Sequence, residues 1–130
     1  MYRPMNEYLS EIQILKALAH PVRIAILEIL RNGEQCVCHF EAALGMRQAY
    51  ISQQLMVLRR AGIVASRREG WNHYYRVRKP EIYAVLDAVY EITGTTAGKP
   101  VSAPAACTCP RCRKDAVHQR LVFTPLPNDP

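Results

Sequence analysis

Residues 36–77 read CVCHFEAALGMRQAYISQQLMVLRRAGIVASRREGWNHYYRV, and the changes of pattern inside them set the fold. In 36–44, Phe40, Ala43 and Leu44 fall on one face of a short helix, and Gly45 supplies a tight turn. In 47–60, Ala49, Ile51, Leu55 and Leu58 are expected to face inward. That leaves Gln48, Tyr50, Ser52, Gln53, Arg59 and Arg60 on the outer surface. After Ala61-Gly62 the period drops from helical to two. Residues 63–68 and 73–77 read as strands around the turn Glu69-Gly70-Trp71-Asn72. Two helices joined by a glycine turn, the second rich in outward polar groups, make a helix-turn-helix, and the hairpin behind it is a wing.

Outward from this stretch, residues 5–19 carry Met5, Tyr8, Leu9, Ile12, Leu15, Leu18 and Ala19 at helical spacing. His20-Pro21 interrupts, and Pro21 suits the first turn of a new helix. Residues 21–31, PVRIAILEILR, are apolar almost all round, so that helix belongs in the core until Asn32-Gly33 ends it. On the other side, Pro80 opens a last helix with Ile82, Val85, Leu86, Val89 and Tyr90 as its stripe, and Gly94 closes it. The expected fold is mainly α with a β-hairpin wing, a winged helix-turn-helix occupying 1–94. Residues 95–130 hold six of the nine prolines and no amphipathic period, and read as a flexible tail that carries CTCPRC.

A chain of 130 residues is one domain with a margin. No apolar run approaches the roughly 18 residues of a bilayer crossing, and the first residues lack the features of a signal peptide. The expected location is the cytoplasm, where cysteines are read as ligands or reactive thiols before disulfides. The net charge of +6 is concentrated. Residues 1–46 hold four cations against five acids, 47–79 hold eight against one, and 80–130 hold five against five. Seven of the eight cations in the middle block are arginine, which makes forked contacts to phosphate.

Placed in a major groove, residues 47–60 bring Gln48, Ser52 and Gln53 to base edges, since glutamine offers the paired donor and acceptor that adenine matches. Tyr50 reaches a thymine methyl or a phosphate. Arg59 and Arg60 lie at the far end of the helix, toward the backbone. Arg67 and Arg68 on the wing, with Arg76 across the hairpin, are placed for phosphates or the minor groove. Solvent exposure alone accounts for any one of these side chains; the coincidence of turn, helix, wing and charge block favours double-stranded DNA.

ALAHPVRIAILEIL together with the 36–77 stretch resembles the ArsR/SmtB family of winged-helix repressors, over roughly residues 10–93. The resemblance implies a homodimer built on the first and last helices and a palindromic operator read by Gln48, Ala49, Tyr50, Ser52 and Gln53. It implies release when a metal or metalloid binds or a thiol is oxidised, and no enzymatic activity. Gln54 departs from the histidine that many members carry there, which bears on base preference.

Five cysteines remain. In a helix, residues two apart point about 200° away from each other, so Cys36 and Cys38 act together only if Cys36 precedes the helix or lies in its irregular first turn. The helix start there also favours the thiolate that metals require. Glu34–Cys38, EQCVC, resembles the ELCVC metal box of arsenic- and cadmium-responsive members, although Glu41 stands where arsenic-type members often place a third cysteine. Cys107, Cys109 and Cys112 lie in the tail. A spacer of about 13 residues spans up to ~45 Å when extended, so they can return to Cys36 and Cys38 on the same chain or on a dimer mate. Two thiolates from each segment would suit Cd(II), Pb(II) or Zn(II), and three in total would suit As(III). The alternative is that the tail cysteines hold an ion by themselves with His118. His39 is a further candidate ligand, His20 is expected to pack or cap, and His73 to lie on the surface. The last helix lacks the Asp/His set of zinc-sensing members.

Three other readings compete. In one, the cysteines sense oxidants or reactive sulfur through disulfides or polysulfides on the same fold. CPRC resembles the C-x-x-C of thiol–disulfide oxidoreductases, but those motifs start a helix in a βαβ unit, and none is read here. A winged helix that binds only protein would not need the arginine block.

Overall fold

The computed structural model of the chain describes residues 2–95, and the reading of 95–130 as a tail therefore falls, but for Thr95, outside the described residues. A 3-10 turn at Met5–Tyr8 leads into α1 (Leu9–Leu18), α2 (Pro21–Leu30), β1 (Gln35–Cys36), α3 (Val37–Leu44), α4 (Gln48–Arg60), β2 (Val64–Glu69), β3 (Asn72–Val77) and α5 (Ile82–Thr93). The helix-turn-helix is α3 and α4. Gly45, at φ +63°, ends α3 in the left-handed region that a side chain disfavours.

α2 starts as its sequence requires. Pro21 fills the first turn, and the extended His20 caps it, its Nδ1 accepting from the Val22 N–H at 3.2 Å. Seven of the ten α2 residues are buried. Ile26 and Leu27 lie at the centre of the core with Phe40 of α3, Ile51, Leu55 and Leu58 of α4, Ile63, and Ile82 and Leu86 of α5. Ala49 does not join Ile51, Leu55 and Leu58. It is exposed, because the inward face of α4 is the 51/55/58 ridge and position 49 lies off it.

Glu28 is the one charged residue among the buried side chains described. Its carboxylate accepts two hydrogen bonds from Arg31 (2.9 and 2.8 Å) and one from the Tyr90 hydroxyl (2.8 Å). Arg31 also donates to Asp87 (2.9 Å) and lies over the Tyr83 ring, whose hydroxyl donates to the Leu27 carbonyl at 2.7 Å. Burial, and for Tyr90 the bond to Glu28, push both phenols well above their ordinary range. This network fastens α5 to α2.

Two expectations are corrected. The wing is a three-stranded antiparallel sheet in the order β1-β3-β2, because Gln35 and Cys36 pair with Tyr75 and Tyr74. The first helix is split, with the 3-10 turn before α1. Its stripe, for which the sequence set no facing, is mostly outward: Met5, Leu9, Ile12 and Leu15 are exposed, and Ala17 and Leu18 are what α1 buries. The α5 stripe likewise divides, with Ile82 and Leu86 inward and Val85, Val89 and Ile92 outward. No helix among the described residues is long and apolar enough to cross a membrane.

Replacing Arg31 with alanine leaves the Glu28 carboxylate buried without its cation. A loss of about 3 kcal/mol is expected, measured by urea unfolding, with Tyr90→Phe costing about 1 kcal/mol.

Candidate nucleic-acid interface and thiol site

The outer surface of α4 holds most of the residues assigned to DNA. Gln48, Ala49, Tyr50 and Gln53 are exposed and Ser52 is half-buried. No acidic residue lies in the first turn of α4, while Arg59 and Arg60 occupy its last turn, where cations suit the helix dipole. Tyr50 is not wholly free: its hydroxyl lies 3.4 Å from His20 Nε2. The histidine that caps α2 therefore also faces a side chain of α4.

The wing turns on two residues, Gly70 and Trp71, between the paired Glu69 and Asn72. Gly70 has φ +60°, the conformation that a tight hairpin demands at its first loop position. Arg68 donates to the Gly70 carbonyl at 3.1 Å and steadies the tip. Trp71 stands at that tip 94% exposed, beyond what packing explains. It sits inside the turn already read from the sequence, but only the structure shows its ring outside the fold. Arg76 and His73 are exposed on β3.

Arg67 is placed differently from its expected phosphate role. Its guanidinium straddles the Glu34 carboxylate, with Nε 2.9 Å from both oxygens and Nη2 2.6 Å from Oε1, and Nη1 reaches Glu69 at 2.9 Å. Glu34 first, then Glu69, raise its pKa further above the ordinary arginine value. It also stacks 4.6 Å above the Tyr74 ring.

Cys36 precedes α3 with extended backbone (φ −85°, ψ 161°), and Cys38 lies in the first turn, as the spacing requires. Their Cα atoms are 5.4 Å apart and their sulfurs are joined as a disulfide. Cys36 is 2% exposed, and Cys38 is half-buried. With Tyr74 they form a small apolar cluster separate from the main core. Residues opposite one another on paired strands share a face, so Cys36, Tyr74 and Arg67 form one row across β1, β3 and β2. Val64, Tyr75 and Val77, on the other face, join the core. Sequence reading placed the thiols at a helix start. It missed that Cys36 is a residue of the sheet, because a two-residue strand shows only through its partner.

Among the described residues no group of three His, Cys, Asp or Glu side chains is placed to hold a metal. Cys107, Cys109, Cys112 and His118 lie outside the described residues. Two sulfurs on one side of the β1–α3 junction fit part of a thiolate site, once reduced.

The description "Bacterial regulatory protein, arsR family" matches residues 20–66. The chain is 43% identical over 89 residues to a biofilm growth-associated repressor of Agrobacterium fabrum, covering 68% of this chain and 76% of that protein. It is 42% identical over 78 residues to the HTH-type transcriptional repressor SmtB of Mycobacterium tuberculosis, covering 59% and 58%. The crystal structure of the transcriptional repressor BigR from Xylella fastidiosa superposes with a TM-score of 0.59 at 37% identity, covering 68% of this chain and 91% of that one.

After reduction, iodoacetamide is expected to label Cys38 several-fold faster than Cys36, since burial shields Cys36. Peptide mass spectrometry resolves the two sites. Equal rates would contradict the described burial.

Proposed function

Since the chain belongs to the ArsR/SmtB family of DNA-binding transcriptional regulators, we propose that it is a homodimeric repressor that leaves its operator when the Cys36/Cys38 pair changes chemical state. The observation that carries this reading is the adjacency of the two sulfurs at the β1–α3 junction, where Cys36 is a residue of the wing sheet and Cys38 lies in the first turn of α3. Reduced, they are two thiols. Oxidised by a peroxide or a polysulfide, they lose two protons and two electrons to that oxidant and join as the disulfide described above.

Dimerisation is supported by the outward apolar residues. Met5, Leu9, Ile12 and Leu15 on the N-terminal helical segment, and Val85, Val89 and Ile92 on α5, are exposed in the single chain. A second copy covering both helices would remove these side chains from water. The operator would then meet Gln48, Ala49, Tyr50, Ser52 and Gln53 at base edges, with Arg59, Arg68 and Arg76 on phosphates. Arg67 belongs to that set only if it lets go of Glu34.

A second reading keeps the pair and changes the effector. Family members sense metal ions. Reduced Cys36 and Cys38 would supply two thiolates, with Cys107, Cys109 and Cys112 as the remaining donors for Cd(II), Pb(II), Zn(II) or As(III). A bound soft ion would supply strong sulfur bonds that fix the β1–α3 junction. The chain's own part is to hold two sulfurs side by side where the wing sheet meets α3. Cytoplasmic placement accords with a regulator that meets DNA.

The test is operator affinity, by fluorescence anisotropy on a duplex enriched from a random pool. The dithiol protein is expected to bind at least tenfold tighter than protein treated with hydrogen peroxide or polysulfide, and Cys36→Ser to abolish the difference. A response to Cd(II) or As(III) with none to oxidants selects the metal reading, and no response to either removes both. Arg68→Ala or Arg76→Ala should each lower the slope of log affinity against log salt by about one.

A further inference from the structure

A sensing pair matters only if something carries its state to the DNA-reading surface. Two paths run from the cysteines to β2, and both end on Arg67. One is the row across the sheet: Cys36 opposite Tyr74, and Tyr74 opposite Arg67, whose guanidinium lies on the ring at 4.6 Å. The other is Glu34, two residues before Cys36, which holds Arg67 by a fork of bonds between 2.6 and 2.9 Å. Glu34 is 14% exposed in its side chain, so this clasp is shielded from water on the carboxylate side, and it spans 33 residues of sequence. A surface ion pair between mobile chains is weak. This one has a planar cation held on three sides, by Glu34, Glu69 and an aromatic face.

We propose that the Glu34–Arg67 clasp, seated on Tyr74, is the mechanical coupling between the Cys36/Cys38 pair and the wing, and that Arg67 is a positioning residue and not a phosphate ligand. This rests on the sensing role given to the pair above. Joining or separating the two sulfurs alters the backbone at the β1–α3 junction, where Cys36 is extended and Cys38 helical. Glu34 is on the same segment. A shift of that segment drags the carboxylate, and with it the arginine that anchors the wing strand carrying Arg68. Arg67 has two carboxylates on it, so it brings little net charge to a phosphate. Lysine cannot replace it, because an ammonium neither forks onto a carboxylate nor stacks on a ring in the same way.

The experiment uses the full chain and compares wild type, Glu34→Gln and Arg67→Lys. Two quantities are read. The first is the ratio of operator Kd after and before hydrogen peroxide, and in parallel after and before Cd(II). The second, without DNA, is the change in amide hydrogen exchange of peptides from 64–77 on the same treatments. Thermal unfolding of each variant checks folding. The ratio is expected to fall at least fivefold in both variants, within the range of ordinary coupling factors, and the exchange difference at 66–69 to vanish. Arg67→Lys keeps the positive charge, so a phosphate ligand would retain the wild-type ratio. A merely structural clasp would change exchange equally in both states and leave the difference intact. Either result overturns the proposal. If wild type responds to neither treatment, the sensing role itself fails and the coupling falls with it. If wild type responds and both variants respond equally, the coupling alone is wrong.

Discussion

Two rungs of β-ladder, Gln35 to Tyr75 and Cys36 to Tyr74, organise the functional half of this molecule. Without them the segment before α3 would be a loop between two helices, and the wing a free two-stranded hairpin. Isolated hairpins are marginal in water. With them, the start of the helix-turn-helix and the wing become one sheet, and a cysteine at the helix start becomes a residue of that sheet. The two faces divide the labour. Val64, Tyr75 and Val77 seal the main core, and Cys36, Tyr74 and Arg67 line the opposite side.

Most of the fold was legible in the sequence because its signals are local. Pro21 and Gly33 bracket an apolar helix, Gly45 forces the turn between α3 and α4, and the strand period around Gly70 marks the wing. The ends of α4 and α5 fell within a few residues of expectation. Orientation was not legible. The stripes on α1 and α5 are apolar, and a single sequence cannot say whether an apolar face meets the chain's own core or another surface. The exposure of Leu9, Leu15 and Ile92 answers for the lone chain. Ala49 was misplaced for a simpler reason: alanine is indifferent to burial, and its neighbours Ile51 and Leu55 decided which ridge of α4 turned inward.

For the candidate site, residue types were legible and wiring was not. Arginine density between 47 and 79 reads as suited to a polyanion, and the Cys-x-Cys spacing requires one cysteine ahead of the regular helix, where Cys36 lies. That Arg67 is bound to Glu34 has no trace in the sequence. The partners are 33 residues apart, and only the sheet brings them together. Counting arginines therefore overstates the charge the wing presents. The buried Glu28 shows the same thing in the core: its partners Arg31 and Tyr90 come from the end of α2 and from α5, and Arg31 in turn holds Asp87 of α5, links that PVRIAILEILR does not display.

The shape of the small sheet has one more consequence. Open strand edges invite neighbouring molecules to pair and aggregate, and short or charged edges discourage it. Here one edge, β1, is only two residues long, and the other, β2, ends in Arg67, Arg68 and Glu69. Neither offers a flat apolar template. A chain of this design can remain at high concentration near DNA without its wings adhering to one another in stacked ribbons.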